Sequence, residues 1–537
     1  LDEKRWQGDR DDWPETLDNQ QWRGVSVEHG QCSGSRCSNF NACYFFKSRQ
    51  QLQQTECIIA NQDLVLADLS LGGGAILPHP SELIYIFDEA HHLAAKGLSH
   101  FSHFVQLRSS INWLDQSKKL MTRLQQQAGT ELKSLFVKAD AAAMETRHKL
   151  NEAYLLFEQF NSEQIQGDLQ QSQHTFERGV LDPELREVCG ILYLCFSQFG
   201  QALDKILTRI RQCMENEGGE IDSALAESWY PGLGSLQARC EASLMLWFHY
   251  ANPDTNKDIP QARWLTFSKV QDELEISLSC SPILAAEALT EKLWNECFAA
   301  VLTSATLSAL NSFDFLSMRT GLPKESNFCR IGSPFNFAEA GVLRIPEKGF
   351  DAGNSTAHTQ AIVSCLPDLL SEDKGALVLF SSRRQMQDVL ESLESDFKDK
   401  ILSQDDYPKQ QLIALHKSNI DGNEQSIIFG LASMSEGIDL PAAYCTHVVI
   451  AKLPFTVPDD PIEVTLGQWL KDQGLNPFTE IAIPETAMKL VQASGRLLRS
   501  ETDTGKISIL DERLLNRRYG AAILEALPPY RREKFTL

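Results

Sequence analysis

The stretch Leu83-Ile84-Tyr85-Ile86-Phe87-Asp88-Glu89-Ala90-His91-His92-Leu93 poses the question of this chain. Five apolar residues run straight into two carboxylates and two histidines. A short apolar run of this kind predicts a buried parallel strand from Leu83 to Phe87. In open α/β sheets ligands sit at the carboxyl ends of the strands, so Asp88 and Glu89 are expected at a ligand edge. One carboxylate there can help hold Mg²⁺, commonly through water. A second can position or deprotonate an attacking water. His91 and His92 would open the next helix, close to the phosphates. The plainer reading is that Asp88 only caps a helix.

Three further stretches extend this reading. In VLTSATLS (301–308) a strand ends on hydroxyls, and Thr303, Ser304 and Thr306 can link the acidic pair to a nucleic-acid site by hydrogen bonds; alone, such a run is usually a turn. In LVQASGRLLRS (490–500), Gln492, Arg496 and Arg499 fall at i, i+4 and i+7, on one face of an expected helix. Gly495 would let a backbone or phosphate approach that face. Two always-charged guanidinium forks suit phosphoryl oxygens; the plainer alternative is a solvated basic face. In FGLASMSEGIDLP (429–441), Glu436, Gly437 and Asp439 follow a strand, where they can contact ribose or phosphate or simply turn the chain.

The surrounding chain fits a soluble multidomain protein. Its 537 residues suggest about three or four domains. The formal charge of −22 argues against binding polyanions by bulk charge, while leaving room for a local basic groove. No apolar stretch approaches about 18 residues, and the charged N-terminus has no signal-peptide core, so a cytoplasmic location is expected. From about 98 to 245 apolar residues recur at helical spacing, as in LYLCFSQFGQALDKILTRI, which predicts a largely helical insertion. The polar turn ANPDTNKDIPQ reads as a hairpin or a domain re-entry. Beyond it, β-rich runs at 299–304, 376–380, 426–430, 447–451 and 507–511 alternate with helical patterns. The fold class is therefore α/β, with parallel sheets covered on both faces.

The 13 cysteines are mostly scattered singly, Cys195, Cys280 and Cys297 among them, which fits reduced, buried thiols. Cys32, Cys37 and Cys43 differ: they are spaced C-x₄-C-x₅-C, a pattern that points to metal. Spacing alone leaves an iron–sulfur cluster and a zinc site completed by His29 equally open. Cys57 is a third candidate ligand, although its apolar β-like run, Cys57 to Ala60, reads as buried. Tyr44, Phe45, Phe46, Lys47 and Arg49 suit either stacking and attraction of single-stranded DNA or packing of this segment.

DEAHH, TSATL, SEGIDLP and QASGRLLRS, in this order, resemble motifs II, III, V and VI of superfamily 2 helicases. LFSSRRQM (379–386), with Ser381 and Ser382, resembles motif IV. GSPF (332–335) and KLPFTVPDDP (452–461) are similar to the XPD/DinG branch, and DEAHHL with the cysteine spacing places the chain nearest the bacterial DinG and YoaA proteins. The resemblance covers nearly the whole chain. It implies two RecA-like P-loop NTPase domains with an iron–sulfur segment and a helical Arch insertion. The expected boundaries are 1–97 (part of RecA-like domain 1, with the cluster segment at about 28–50), 98–245 (Arch), 246–340 (remainder of domain 1) and 341–537 (domain 2).

What the resemblance implies for function is an ATP- and Mg²⁺-dependent 5′ to 3′ DNA helicase acting in repair or replication on single-stranded and forked DNA. It would be a monomeric motor with no membrane attachment and a possible replication or repair protein as partner. Asp88 and Glu89 become the Mg²⁺ and water-activating pair, Arg496 and Arg499 the arginine fingers. His91, Gln492, Glu436, Gly437 and Asp439 become nucleotide contacts, and Thr303, Ser304, Thr306, Ser381 and Ser382 couple hydrolysis to DNA. Cys32, Cys37 and Cys43 become ligands of a [4Fe–4S] cluster whose fourth cysteine is expected upstream. One departure stands out. Nothing reads GxxxxGK[ST], and the nearest stretch, GGGAI (72–76), has no Lys after it. A helicase truncated at its N-terminus is therefore expected, inefficient as an ATPase on its own. The alternatives are a non-catalytic binder of single-stranded or forked DNA and, more weakly, a DEAH-type ATPase working on RNA.

Overall fold

The computed structural model describes residues 10, 18, 21–22, 25–27, 29–52, 54–161, 171–215, 220–253, 259–270, 273–431, 434, 438–456 and 459–536. The chain divides into two compact units. The first comprises 1–85, 94–299 and 459–469; the second comprises 86–93, 300–458 and 470–537.

The strands, in chain order, are β1 (Ile84–Phe87), β2 (His103–Gln106), β3 (Gln171–Thr175), β4 (Gln261–Val270), β5 (Glu273–Pro282), β6 (Ala299–Leu302), β7 (Gly341–Pro346), β8 (Gly375–Phe380), β9 (Ile401–Ser403), β10 (Ser426–Leu431), β11 (His447–Ile450), β12 (Gly505–Ile509) and β13 (Arg531–Phe535). They form a β1–β6 pair, a sheet of order β2-β5-β4-β3, and a seven-stranded sheet of order β13-β7-β12-β11-β8-β10-β9.

In the first unit a short helix, α1 (Tyr44–Leu52), precedes four long ones: α2 (Leu107–Gln125), α3 (Thr130–Glu158), α4 (Pro183–Met214) and α5 (Ser223–Ala251). Helix α4 begins with Pro183 in its first turn and buries Leu185, Cys189, Leu192, Phe196, Phe199, Leu203, Ile206 and Ile210. Those steps of three and four residues lay one apolar stripe along the helix. The helical expectation for 98–245 thus holds for most of the stretch. It missed the antiparallel sheet β2-β5-β4-β3, whose strands flank and interrupt the helices. The turn after Tyr250 is a helix-to-strand connection rather than a hairpin: α5 ends at Ala251 and β4 starts at Gln261. Tyr250 closes this junction, its hydroxyl donating to Ser279 O at 2.8 Å.

In the second unit every pairing of the seven-stranded sheet is parallel. Its central strands are apolar throughout because both faces are covered. Side chains alternate between two cores. Leu377, Leu379, Ile428, Val448, Ile450 and Ile507 enter one, while Ala376, Val378, Phe380, Ile427, Phe429 and Val449 enter the other. Helices α6 (Arg383–Ser392) and α7 (Ile483–Ser494) carry the motif residues described below.

At the amino end of β11, His447 is fully buried. Its Nδ1 lies 2.8 Å from Asp373 Oδ2 and its Nε2 lies 2.8 Å from Ser508 Oγ. Burial pushes the imidazole below its usual range despite the Asp373 partner. Burial alone would raise the Asp373 carboxyl, but the bond to His447 and the nearby positive charges hold it below its usual range.

Two local expectations fail. Strand β1 starts at Ile84 and is buried on one face only: Tyr85 and Phe87 point inward, while Ile84 and Ile86 are 61% and 71% exposed. Among the described residues it pairs with β6 alone. Residues 57–60 form no strand, Cys57 is exposed, and Ile59 stands almost wholly in solvent. None of the thirteen cysteines is in a disulfide, but Cys195 and Cys297 are only partly buried.

Candidate nucleotide and nucleic-acid site

The residues after β1 and β6 are clasped together. Thr303 N–H donates to Phe87 O (2.9 Å), and Ala90 N–H donates to Thr303 O (3.1 Å). Asp88 and Glu89 lie between these bonds with exposed side chains. Asp88 Oδ1 accepts the Glu89 N–H at 3.0 Å. Glu89 has φ 48° and ψ 43°, the left-handed region. For a residue other than glycine this conformation is uncommon and costs about 1–3 kcal/mol, a strain that clusters at functional sites. Glu89 heads the 3₁₀ turn Ala90–His92, yet its side chain makes no capping bond there. The capping alternative concerns Asp88; the cap position is Glu89's, and the Asp88 side chain accepts the Glu89 N–H instead.

The Glu89 carboxylate instead starts a hydrogen-bonded line. Ser304 Oγ donates to Glu89 Oε2 (3.0 Å). The His91 Nδ1 atom is 2.8 Å from Ser304 Oγ and 3.3 Å from Glu89 Oε2. Since the hydroxyl has a single proton and gives it to Glu89, His91 Nδ1 is the donor toward Ser304. Ser304 Oγ also accepts the Thr306 N–H (3.2 Å), and Gln492 Nε2 donates to Thr306 Oγ1 (3.2 Å). The line Glu89–Ser304–Thr306–Gln492 thus joins three of the four motif stretches. Thr303 contributes its backbone to the clasp while its side chain is exposed.

The arginines converge by a route other than the expected one. Helix α7 ends at Ser494, so Arg496 and Arg499 lie beyond it and the common-face argument fails. Gly495 has an ordinary helical φ of −68°, and the atoms nearest to a Cβ placed there are the Val491 and Gln492 carbonyl oxygens of helix α7. Even so, Arg496 Nη1 and Arg499 Nη2 both donate to Ile438 O, at 3.0 and 2.8 Å. Arg499 Nε lies 3.4 Å from Asp439 Oδ1. Asp439 is therefore an arginine partner here; Glu436 and Gly437 lie outside the described residues.

Asp503 escaped sequence reasoning. Its Oδ2 accepts the N–H groups of Arg499 (2.8 Å) and Ser500 (2.9 Å), and its Oδ1 accepts Ser500 Oγ (2.6 Å). Burial would raise this carboxyl, but those bonds together hold it below the usual range. The signal was the spacing Ser500-x-x-Asp503, a side-chain-to-backbone turn pattern. Ser381 and Ser382 follow β8, at the carboxyl edge of the sheet. Ser382 Oγ accepts the Gln385 N–H (3.5 Å), capping α6. Gln385 Nε2 donates to His358 Nδ1 (2.9 Å), and His358 Nε2 to Leu510 O (2.7 Å). This ties the end of β8 to the end of β12.

Residues 368–530 match the family described as Helicase C-terminal domain. The ATP-dependent DNA helicase DinG of Photobacterium profundum is 32% identical over 98% of this chain and 76% of its own length. The chain belongs to the DinG family. DinG of Salmonella typhimurium is 30% identical over 99% of this chain and 74% of its own length, and DinG of Escherichia coli K12 is 28% identical over the same shares. An XPD helicase structure aligns with a TM-score of 0.50 at 14% identity, covering 92% of this chain and 75% of that one, and shows the shared fold.

The cysteine run of this DinG-family chain folds as three 3₁₀ turns, His29–Gln31, Gly34–Arg36 and Phe40–Ala42. It is moored to the long helices of its own unit. Ser38 donates to Glu227 Oε1 through its N–H (2.8 Å) and its hydroxyl (2.9 Å), which hold that carboxyl below its usual range. Arg36 pairs with Glu215. Cys37 bonds to the same Glu227, and among the described residues no three His, Cys, Asp or Glu side chains are gathered to hold a metal. The side chain of His29 lies outside the described residues. In α1, Lys47 lies over Tyr44 and Arg49 over Phe45, 5.4 and 4.7 Å from the ring centres, with Tyr44 and Phe45 both exposed.

Proposed function

We propose that the chain works as its relatives are named, as an ATP-dependent DNA helicase, moving 5′ to 3′ on single-stranded and forked DNA in replication or repair. The observation that carries this is the line Glu89–Ser304–Thr306–Gln492, because it gives the acidic pair a direct mechanical connection to the arginine-bearing segment. Bound Mg²⁺–ATP supplies the phosphoryl group and neutralises its charge. A Mg²⁺ held by one carboxylate, waters and phosphates needs no cluster of three protein ligands, and the exposed Asp88 fits that task. Glu89 orients and deprotonates the attacking water. Ser304 and His91 hold the Glu89 carboxylate in place. Arg496 and Arg499 leave the Ile438 carbonyl to meet phosphoryl oxygens, with Asp439 and the Asp503-braced turn guiding Arg499. Thr303, Ser381 and Ser382 pass the change to DNA, and Glu436 and Gly437 add nucleotide contacts.

The domain boundaries 1–97, 98–245, 246–340 and 341–537 belong to this reading, supported by the seven-stranded sheet lying wholly within the last. A monomeric cytoplasmic motor is part of it too; no described helix is long and apolar enough to cross a membrane. The cysteine triad is assigned to a [4Fe–4S] cluster on its spacing and the family resemblance, with a fourth thiolate from elsewhere. Cys37→Ser is expected to abolish the broad visible absorbance of such a cluster; a colourless, zinc-containing wild type would refute the assignment.

The test of the main reading is ATPase activity with and without single-stranded DNA, for this chain alone and for the chain preceded by a segment bearing GxxxxGK[ST]. DNA-stimulated hydrolysis in the second supports the helicase. No hydrolysis in either, with DNA binding intact, favours a non-catalytic scaffold.

A further inference from the structure

Three rings meet where β11 and β12 end. Phe455 and Phe478 are 5.3 Å apart between ring centres and tilted by 31°. Tyr519 stands edge-on to both, at 5.5 and 5.4 Å. Phe455 and Tyr519 are partly buried against the core of the second unit. Phe478 is the outer ring and remains 41% exposed.

The cluster has a stiff, charged footing. Asp511, fully buried at the end of β12, accepts the Leu453 N–H (3.0 Å) and a bidentate grip from Arg513, whose Nη2 is 2.6 Å away. The guanidinium of Arg513 also lies 5.4 Å from the Phe455 ring centre. Lys452, one residue before Leu453, is held below its usual range chiefly by burial and secondly by the Arg513 charge. Lys489 Nζ donates to Thr456 Oγ1 (2.6 Å), beside Phe455. In a chain of net charge −22 this edge gathers Lys452, Lys489 and Arg513 around one buried carboxylate and Glu485.

Phe478 also opens a π-helical turn, Phe478–Ala482, that runs directly into α7. Such turns are rare and frequent at functional sites. Helix α7 has twelve residues, about 18 Å. One end is Phe478's turn; the other carries Gln492, with Arg496 just beyond.

We propose that Phe478, backed by Phe455 and Tyr519, is a stacking platform for a base of single-stranded DNA, with Lys452 and Lys489 drawing in the flanking phosphates. An exposed ring on an aromatic base, with lysines on the neighbouring segments, is the combination that holds single strands without reading sequence. The platform rests on the helicase reading and deepens it: a base leaving Phe478 pulls on the helix whose far end reaches Thr306.

The test uses an oligo-dT carrying 5-iododeoxyuridine, photo-cross-linked to the chain and mapped by mass spectrometry, together with fluorescence anisotropy on wild type and the variants Phe478→Ala, Phe478→Leu and Phe478→Tyr. The cross-link is expected on Phe478. Alanine and leucine should each weaken oligo-dT binding about tenfold, and tyrosine should bind nearly as wild type. Leucine keeps the apolar bulk, so it decides the matter if alanine unfolds the protein. Cross-links elsewhere with wild-type binding by Phe478→Leu overturn the platform and leave the helicase reading standing. A wild-type chain that neither binds nor cross-links overturns both.

Discussion

Glu89 shows how much one residue's position can say. Its strained backbone, exposed carboxylate and bond from Ser304 have no packing purpose. Glu89→Gln should leave DNA binding intact and cut ATP turnover at least about 100-fold, the usual scale for a lost general base; normal turnover in that variant would remove Glu89 from the mechanism. Ser304→Ala removes a bond to a charged group, so the DNA stimulation of hydrolysis should fall about tenfold while DNA affinity holds. Steady-state ATPase titrated with oligo-dT separates the two effects. At this scale the sequence pointed to Glu89, Ser304, Thr306 and Gln492, which lie on one hydrogen-bonded line, because motif chemistry is carried by residue type and order. It was a poor guide to Asp503, whose role depends on which backbone N–H groups a turn presents.

At the scale of elements, the central strands were legible because a strand buried on both faces must be apolar throughout. Ile428 sits fully buried in β10, and Ile428→Ala should cost about 2–5 kcal/mol in denaturant unfolding. Strand β13, Arg-Arg-Glu-Lys-Phe, gave no such sign, since it pairs only at the sheet's edge and leaves its charges in water. Charged edge strands discourage pairing with other chains. The end of α7 was misread for a related reason: periodicity persists through Arg499, but the Asp503 turn takes over the backbone. The contact of α5 with the cysteine run was also invisible in sequence. A Cβ placed on Gly234 would come within 1.8 Å of Gly30 O. Gly234→Ala should therefore shift the cysteine segment, and the visible absorbance of any bound cluster is expected to fall with it.

Across the second unit, His358, His416 and His447 are all buried, and burial is the chief cause that keeps each imidazole below its usual range. In the unfolded chain each would take up a proton near pH 6.5. Between that value and the lower folded one, the unfolded state binds more protons, so stability rises with pH there and is lost as pH falls. Thermal melts are expected to shift downward as pH drops below about 6.5, and His447→Gln should flatten part of that dependence; a melting curve indifferent to pH would contradict the burial seen here. His447 has one more consequence. With Asp373 on one nitrogen and a serine hydroxyl on the other, each at 2.8 Å, it reproduces the atomic spacing of a hydrolytic triad. Ser508 is sealed in the sheet with no path for an ester or a water to reach it. A search that recognised enzymes by three-atom templates would sort this chain among the serine esterases. Access, rather than arrangement, is what separates a nucleophile from a rivet.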